Sequence, residues 1–238
     1  MSISWIVLGW DERAGLSIGG ILRALLSLDL GQLATIFAIL IFSLTVHESA
    51  HAWAASRLGD STAKQLGRLT LNPVAHVDPV GTLLLPLVAF TTGAPIIGWA
   101  KPVPVNQGCL ENPRRDFLYI AAAGPASNIL LASVASVVMR TVQVSPIEVG
   151  IGPGFPVWSI AATAFELNLL LAVFNMVPVP PLDGGNVLAG LLPASLADAF
   201  DRFVRPWGFL LLYALLLTGV LGVLITPPYL FLSWVLTR

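Results

Sequence analysis

From residue 33 onward the chain alternates long apolar runs with short polar stretches, and the run lengths predict its elements. Residues 33–57, LATIFAILIFSLTVHESAHAWAASR, contain neither Pro nor Gly and have the length of one spanning helix whose polar residues fall in its last turns. Residues 117–139, 157–177 and 207–225 are three further runs near that length. Residues 80–100 are long enough to span, but Pro86, Gly93, Pro95 and Gly98 interrupt them, which predicts a re-entrant segment. On either side, LGRLTLNP and GWAKPVPVN alternate and stop at prolines in the manner of short strands. Residues 18–30, with Arg23 and Asp29 among loosely helical apolar positions, suit an interfacial helix, and TPPYLFLSWVLTR after residue 225 suits an interface anchor.

The expected fold is an all-α polytopic membrane protein with about four spanning helices, a re-entrant segment and a small membrane-associated β-sheet. It divides into an N-terminal interfacial segment (1–32), a core (33–206) and a C-terminal spanning helix with its anchor (207–238).

Composition supports the membrane assignment. Hydrophobic residues make up 56% and charged residues 11% of the 238, where a soluble domain carries roughly 25% charged. The mean hydropathy is +0.84, and residues 206–237 carry no charge at all. Soluble, fibrous and disordered classes are excluded. Twelve Lys+Arg against 13 Asp+Glu, without a basic run, leave no footprint for nucleic acid. The single cysteine, Cys109, permits no internal disulfide and no cysteine cluster, so any metal must be held by His and carboxylate. The N-terminus lacks a basic leader region and brings Asp11, Glu12 and Arg13 early, which predicts a retained segment and not a cleaved signal.

Basic residues concentrate in short cytoplasmic loops. If 80–100 re-enters, one side collects Arg57, Lys64, Arg68, Lys101, Arg114, Arg115, Arg202 and Arg205, eight of the twelve Lys+Arg, and that side is expected to be the cytoplasm.

The chemistry sits in the first span. His47 and His51 lie four residues apart on one helical face, within reach of a single metal ion, and Glu48 beside them has the position of a general base. Ionisable groups at membrane depth cost about 2.5 kcal/mol or more each by insertion scales, which argues against chance placement. For a third ligand the chain offers Asp183, Glu166, Asp78 and His76. Asp183 follows a span broken by Pro178, Pro180 and Pro181, at the end where the histidines lie.

The His47-Glu48-x-x-His51 helix, Asn175-x-x-Pro178-x-Pro180-x-x-Asp183-Gly184, and Gly124-Pro125-Ala126-Ser127-Asn128 together resemble the site-2 protease family of intramembrane zinc metalloproteases. GRLTLNPVAHVDPVGTLLLP and GWAKPVPVN resemble its compact prokaryotic members. The resemblance covers residues 33–190 in collinear order. It implies one Zn2+ per chain on His47, His51 and Asp183, Glu48 as catalytic acid/base, and Asn128 and Asn175 as substrate-binding or oxyanion candidates. It also implies a membrane-anchored protein substrate cut within or near its own span, and a prokaryotic cell membrane with the active site toward the cytoplasm. Only the short loop 141–156 stands where many relatives insert PDZ domains, and no nucleotide-sensing domain is expected. The rival readings are a membrane metal transporter, which would need ligands across both leaflets, and a non-catalytic zinc-binding scaffold.

Overall fold

The computed structural model describes residues 30–85, 87–88, 100–144 and 157–238. The expected interfacial helix, most of segment 1–32, the C-terminal part of the re-entrant segment and the loop before residue 157 lie outside the described residues. The chain divides into two compact units, one of residues 1–45 and 72–102, the other of residues 46–71 and 103–238.

Helix α1 (Leu30–Arg57) begins in the first unit and ends in the second. Two of its hydroxyls are satisfied within the helix, Thr35 Oγ1 donating to Gly31 O at 2.8 Å and Thr45 Oγ1 to Ile41 O at 2.7 Å, as an apolar surrounding requires. Among the described residues, the first unit also contains two capped turns. Asn72 accepts from Val74 N at the start of a 3-10 turn, Pro73–Ala75. Asp78 accepts from Val80 N and Gly81 N at 3.0 and 2.7 Å, opening a π-helical turn, Pro79–Leu84.

The expected β-sheet is corrected: the described residues are helical or irregular and include no strand. In LGRLTLNP the backbone turns back on the short helix α2 (Thr62–Gln65) before it. Leu66, Gly67 and Arg68 donate to Thr62, Lys64 and Ala63 carbonyls, with Gly67 at φ +69°. Those N–H groups are no longer available to a ladder. In GWAKPVPVN, Pro102 and Pro104 have no N–H to offer. The donors around them are taken singly, Lys101 N by His76 O at 2.9 Å and Asn106 N by the Asp60 carboxylate at 2.7 Å. Alternation of apolar and polar residues was a misleading strand signal where the alternate positions were prolines.

The second unit contains α3 (Pro113–Val144), α4 (Val157–Asn175), α5 (Asp183–Leu191), α6 (Ala194–Phe203), α7 (Gly208–Leu217) and α8 (Val220–Leu236). One apolar core joins Ala132 and Ala135 of α3, Phe165, Leu169 and Val173 of α4, Leu212 of α7, and Leu221 and Ile225 of α8. A smaller one packs Ala54 and Ala55 of α1 against Ile120 of α3 and Leu110. That second cluster brings the histidine-bearing turns of α1 to the first half of α3. The Ser136 hydroxyl and the Arg140 guanidinium of α3 both donate to Leu236 O, ending α8 on α3.

Among the described residues, three helices are long and apolar enough to cross a membrane: Gly31–Arg57, Pro113–Val142 and Val157–Asn175. The run predicted as a fourth straight span is broken instead. Gly219, at φ +74°, closes α7 with a left-handed residue and starts α8, and the helix pair around it is bent by 81°. The stretch expected as an anchor after residue 225 is the continuation of α8, with Pro227 and Pro228 inside it.

Just beyond α1, Asp60 is fully buried and accepts from Thr62 N at 2.9 Å and Asn106 N at 2.7 Å, pinning residue 106 to the end of α1. Burial alone would raise its carboxyl, but the Thr62 and Asn106 hydrogen bonds hold it below the ordinary value. A depressed carboxylate stabilises the fold fully above its unfolded pKa of ~3.9 and loses that contribution as pH falls toward the lowered value. Asp60→Ala should therefore destabilise the protein by about 1–3 kcal/mol at pH 7. Thermal unfolding in detergent micelles checks this, and the gap from wild type should narrow as pH falls below ~4.

Candidate metal centre

The site begins with α1, whose helical repeat sets His47 and His51 on one face with ring centroids 4.7 Å apart and ring planes at 82°. Both are buried. His47 Nδ1 lies 2.6 Å from Asn128 Oδ1, and His51 Nδ1 lies 2.6 Å from Ile120 O. Both partners are oxygen acceptors, so each Nδ1 carries a proton and each Nε2 is turned toward Asp183. Pro125, inside α3, removes the donor that would close on Ala121, in the same turn whose Ile120 carbonyl receives His51.

The carboxylate arrives from the break after α4. That helix stops at Asn175, and Asp183 is the first residue of α5. The path between them is compressed against α5. A Cβ on Gly184 would stand 2.3 Å from Met176 O, and one on Gly185 would stand 2.8 Å from Pro180 N. The Asp-Gly-Gly sequence is thus a packing requirement that fixes where the carboxylate points. At the far end of α5, the Arg114 guanidinium of α3 donates to Ala189 O at 3.2 Å and Leu192 O at 2.9 Å, and so holds the helix from its C-terminus.

His47 Nε2 and His51 Nε2 are 3.1 Å apart, and Asp183 Oδ2 is 3.1 Å from the first and 3.4 Å from the second. A tetrahedral zinc with ligand bonds near 2.0–2.1 Å separates neighbouring ligand atoms by about 3.3 Å. The triangle therefore has the edges of a zinc site, two imidazole nitrogens and a carboxylate oxygen converging on one point. Gly124 supplies the room: a Cβ there would lie 2.4 Å from His51 Nε2 and 2.5 Å from His47 Nε2. Among the described residues, His47, His51 and Asp183 form the one group of three or more candidate ligands.

Of the other third-ligand candidates, Glu166 is half-buried in the middle of α4. His76 and Asp78 belong to the first unit, where the Asp78 side chain caps the π-helical turn. Glu48, next to His47 on α1, is half-buried. Asn128 is fully buried and bonded at both ends, to His47 and, through Nδ2, to Asn168 Oδ1 at 2.9 Å. Both ends of its amide are thus engaged by side chains, one of them the His47 ring. Asn175 donates to Leu171 O at 3.0 Å and is half-buried.

The model of peptidase family M50 matches residues 35–156 and 153–219, a span that takes in every residue of the metal cluster. The chain belongs to peptidase family M50. It is 35% identical over 194 residues to "Putative zinc metalloprotease YwhC" of Bacillus subtilis, covering 79% of this chain and 82% of that protein. To "Putative zinc metalloprotease Rip2" of Mycolicibacterium smegmatis it is 31% identical over 196 residues, covering 81% and 70%. "Zinc metalloprotease MJ0392" of Methanocaldococcus jannaschii is 25% identical over 159 residues, 67% of this chain and 34% of that protein. No solved structure matches. Family membership and the apolar helices make this M50 chain a multi-pass membrane zinc metalloprotease, as its motifs imply. The transporter and scaffold readings are not favoured.

Motif reading alone did not single out Gly124 as the cradle, Arg114 as the anchor of α5, or Asn168 as the partner of Asn128. For Asn168 a signal existed: an amide side chain in the middle of an apolar span must find a partner there. The Gly124 contact yields a direct check. In Gly124→Ala the methyl displaces the imidazoles, and zinc affinity should fall by roughly tenfold or more. Gly222→Ala, where an added Cβ meets open space, should bind as wild type. Competition with a chromogenic chelator measures both.

Proposed function

We propose that this M50 chain cleaves membrane-anchored proteins within or near their own spanning segments, with His47, His51 and Asp183 holding the zinc and Glu48 moving the proton. The observation that carries the ligand assignment is the triangle of His47 Nε2, His51 Nε2 and Asp183 Oδ2, with edges of 3.1, 3.1 and 3.4 Å. When bound, zinc supplies Lewis acidity toward a peptide carbonyl and acidifies water.

The chain's own residues do the rest. His47 and His51 are held by their Nδ1 protons, on Asn128 and Ile120, so that both Nε2 lone pairs converge. Asp183 contributes a negative charge that favours a cation over a neutral occupant. Glu48 takes the proton from the attacking water and returns it to the leaving amine, as a carboxylate beside a Lewis acid can do. Buried apolar walls around α1 and α3 keep bulk water from competing. A substrate helix has all its carbonyls bonded internally, so it must unwind locally before a peptide bond is exposed. Asn175, at the end of α4 beside the break that carries Asp183, is our candidate for holding the unwound strand.

The sidedness is likewise our reading. The basic loops flanking α1 and α3 orient the histidine end toward the cytoplasm, in a prokaryotic cell membrane, so water and the unwound substrate meet the zinc from that face.

Glu48→Gln should keep its zinc and lose cleavage of a reconstituted membrane substrate by 100-fold or more, whereas Asp183→Ala should lose both and Glu166→Gln neither. Metal content and turnover, measured on the same preparations, separate the roles, and loss of zinc from the Glu166 variant would reject the ligand set. Cys109, exposed in the 3-10 turn Gln107–Cys109, tests the orientation. A membrane-impermeant thiol reagent should label it in inside-out vesicles and spare it in intact cells, with denatured protein as the control for reactivity. Labelling confined to intact cells would invert the assignment.

A further inference from the structure

We propose that Asn168 is a positioning residue of the metal centre, the fixed end of a one-directional hydrogen-bond line that decides which nitrogen of His47 faces the metal. The inference rests on the reading of His47 as a zinc ligand. The line has three links. Asn168 Nδ2 donates to Ala164 O at 2.8 Å, Asn128 Nδ2 donates to Asn168 Oδ1 at 2.9 Å, and His47 Nδ1 meets Asn128 Oδ1 at 2.6 Å.

The direction is forced from the Ala164 end. A backbone carbonyl can only accept, so the Asn168 amide must turn its NH2 toward Ala164 and its oxygen toward Asn128. That oxygen in turn accepts, which obliges Asn128 to present its NH2 to Asn168 and its oxygen to His47. An oxygen facing Nδ1 places the imidazole proton on Nδ1 and leaves the Nε2 lone pair for a cation. Asn128 is 0% and Asn168 2% exposed. Water is therefore not at hand to replace a missing partner, and a flipped amide would set donor against donor in an apolar surrounding. Without the Asn168 oxygen, nothing on this line prevents the Asn128 amide from turning over, giving His47 an NH2 and moving the ring proton to Nε2, where it occupies the metal-binding lone pair. Asn168 thus acts on the metal through two intervening side chains from α4, a helix that itself carries none of the proposed ligands.

The test reads the tautomer directly. The chain has three histidines, so ring-nitrogen NMR of the metal-free, nitrogen-15-labelled protein can resolve them, with His47 assigned by its absence in His47→Ala. In wild type the His47 proton should reside on Nδ1. In Asn168→Leu it should shift substantially to Nε2, and zinc affinity should fall about tenfold, within the range for residues that orient metal ligands. Asn168→Asp, which as a neutral acid donates to Ala164 and accepts from Asn128, should restore both readouts. Adding Asn168→Leu to Asn128→Leu should weaken zinc no further than Asn128→Leu alone. Should Asn168→Leu fail to fold, Asn168→Ala, which inserts no larger side chain, takes its place.

The proposal is overturned if the His47 proton stays on Nδ1 in the apolar variant and zinc affinity remains within twofold of wild type, even where the melting temperature drops. If His47→Ala binds zinc as tightly as wild type, the ligand assignment fails, while the ring-nitrogen signals still judge the action of Asn168 on His47.

Discussion

The second unit is organised around two imidazoles of one membrane-spanning helix whose Nε2 atoms are held 3.1 Å from each other and 3.1 and 3.4 Å from one carboxylate oxygen. Polar atoms gathered in an apolar surrounding are costly unless each is bonded, because no water is at hand to do it. The arrangement is sustained by acceptors placed behind both rings, Asn128 Oδ1 and Ile120 O, and by a carboxylate in front of them. The two acceptors come from α3 and the carboxylate from the start of α5, and each needs its own supporting structure.

Those supports explain several sequence features that would otherwise look like ornament. Gly124 is there because the two imidazole edges lie where its side chain would be. Gly184 and Gly185 let the broken end of α4 lie directly on the start of α5. Gly208 does the same for the C-terminal helices, since a Cβ there would be 2.4 Å from Pro180 O. The proline-rich break that delivers Asp183 is therefore clamped from both sides, by α5 and by α7. In a closely packed interior such contacts transmit displacement, so α7 contributes to the placement of the carboxylate without touching it.

The fold also answers the accounting problem that a membrane imposes on polar groups. Several hydroxyls in the helices return to carbonyls one turn back, as Thr163 Oγ1 does to Ser159 O at 3.0 Å and Thr226 Oγ1 to Gly222 O at 2.7 Å, while that of Ser136 crosses to Leu236 O. The amides Asn128 and Asn168 pair across α3 and α4. A transport path would need such groups to form a ladder of exchangeable ligands, whereas here they end on the backbone of α4 at Ala164.

The sequence alone determined the membrane class, three of the spans, the histidine pair with Glu48 beside it and the proline-broken carboxylate, because run length, helical period and proline chemistry are local properties. Its reading of LGRLTLNP and GWAKPVPVN as strands failed over the described residues 66–73 and 100–106 for an equally local reason: alternation is ambiguous when prolines occupy alternate positions in one segment and a glycine at φ +69° has already turned the backbone in the other. The broken fourth span was written in Gly219, but a glycine in an apolar run marks a kink only once the packing on either side is known. Only the tertiary structure decided which of four candidate groups completes the triangle, which acceptor stands behind each Nδ1, and which glycines are cradles. These depend on distances between residues as far apart in the chain as His47 and Asp183, set by the packing of α1 and α5 with α3 between them, and no local pattern encodes a distance of that kind.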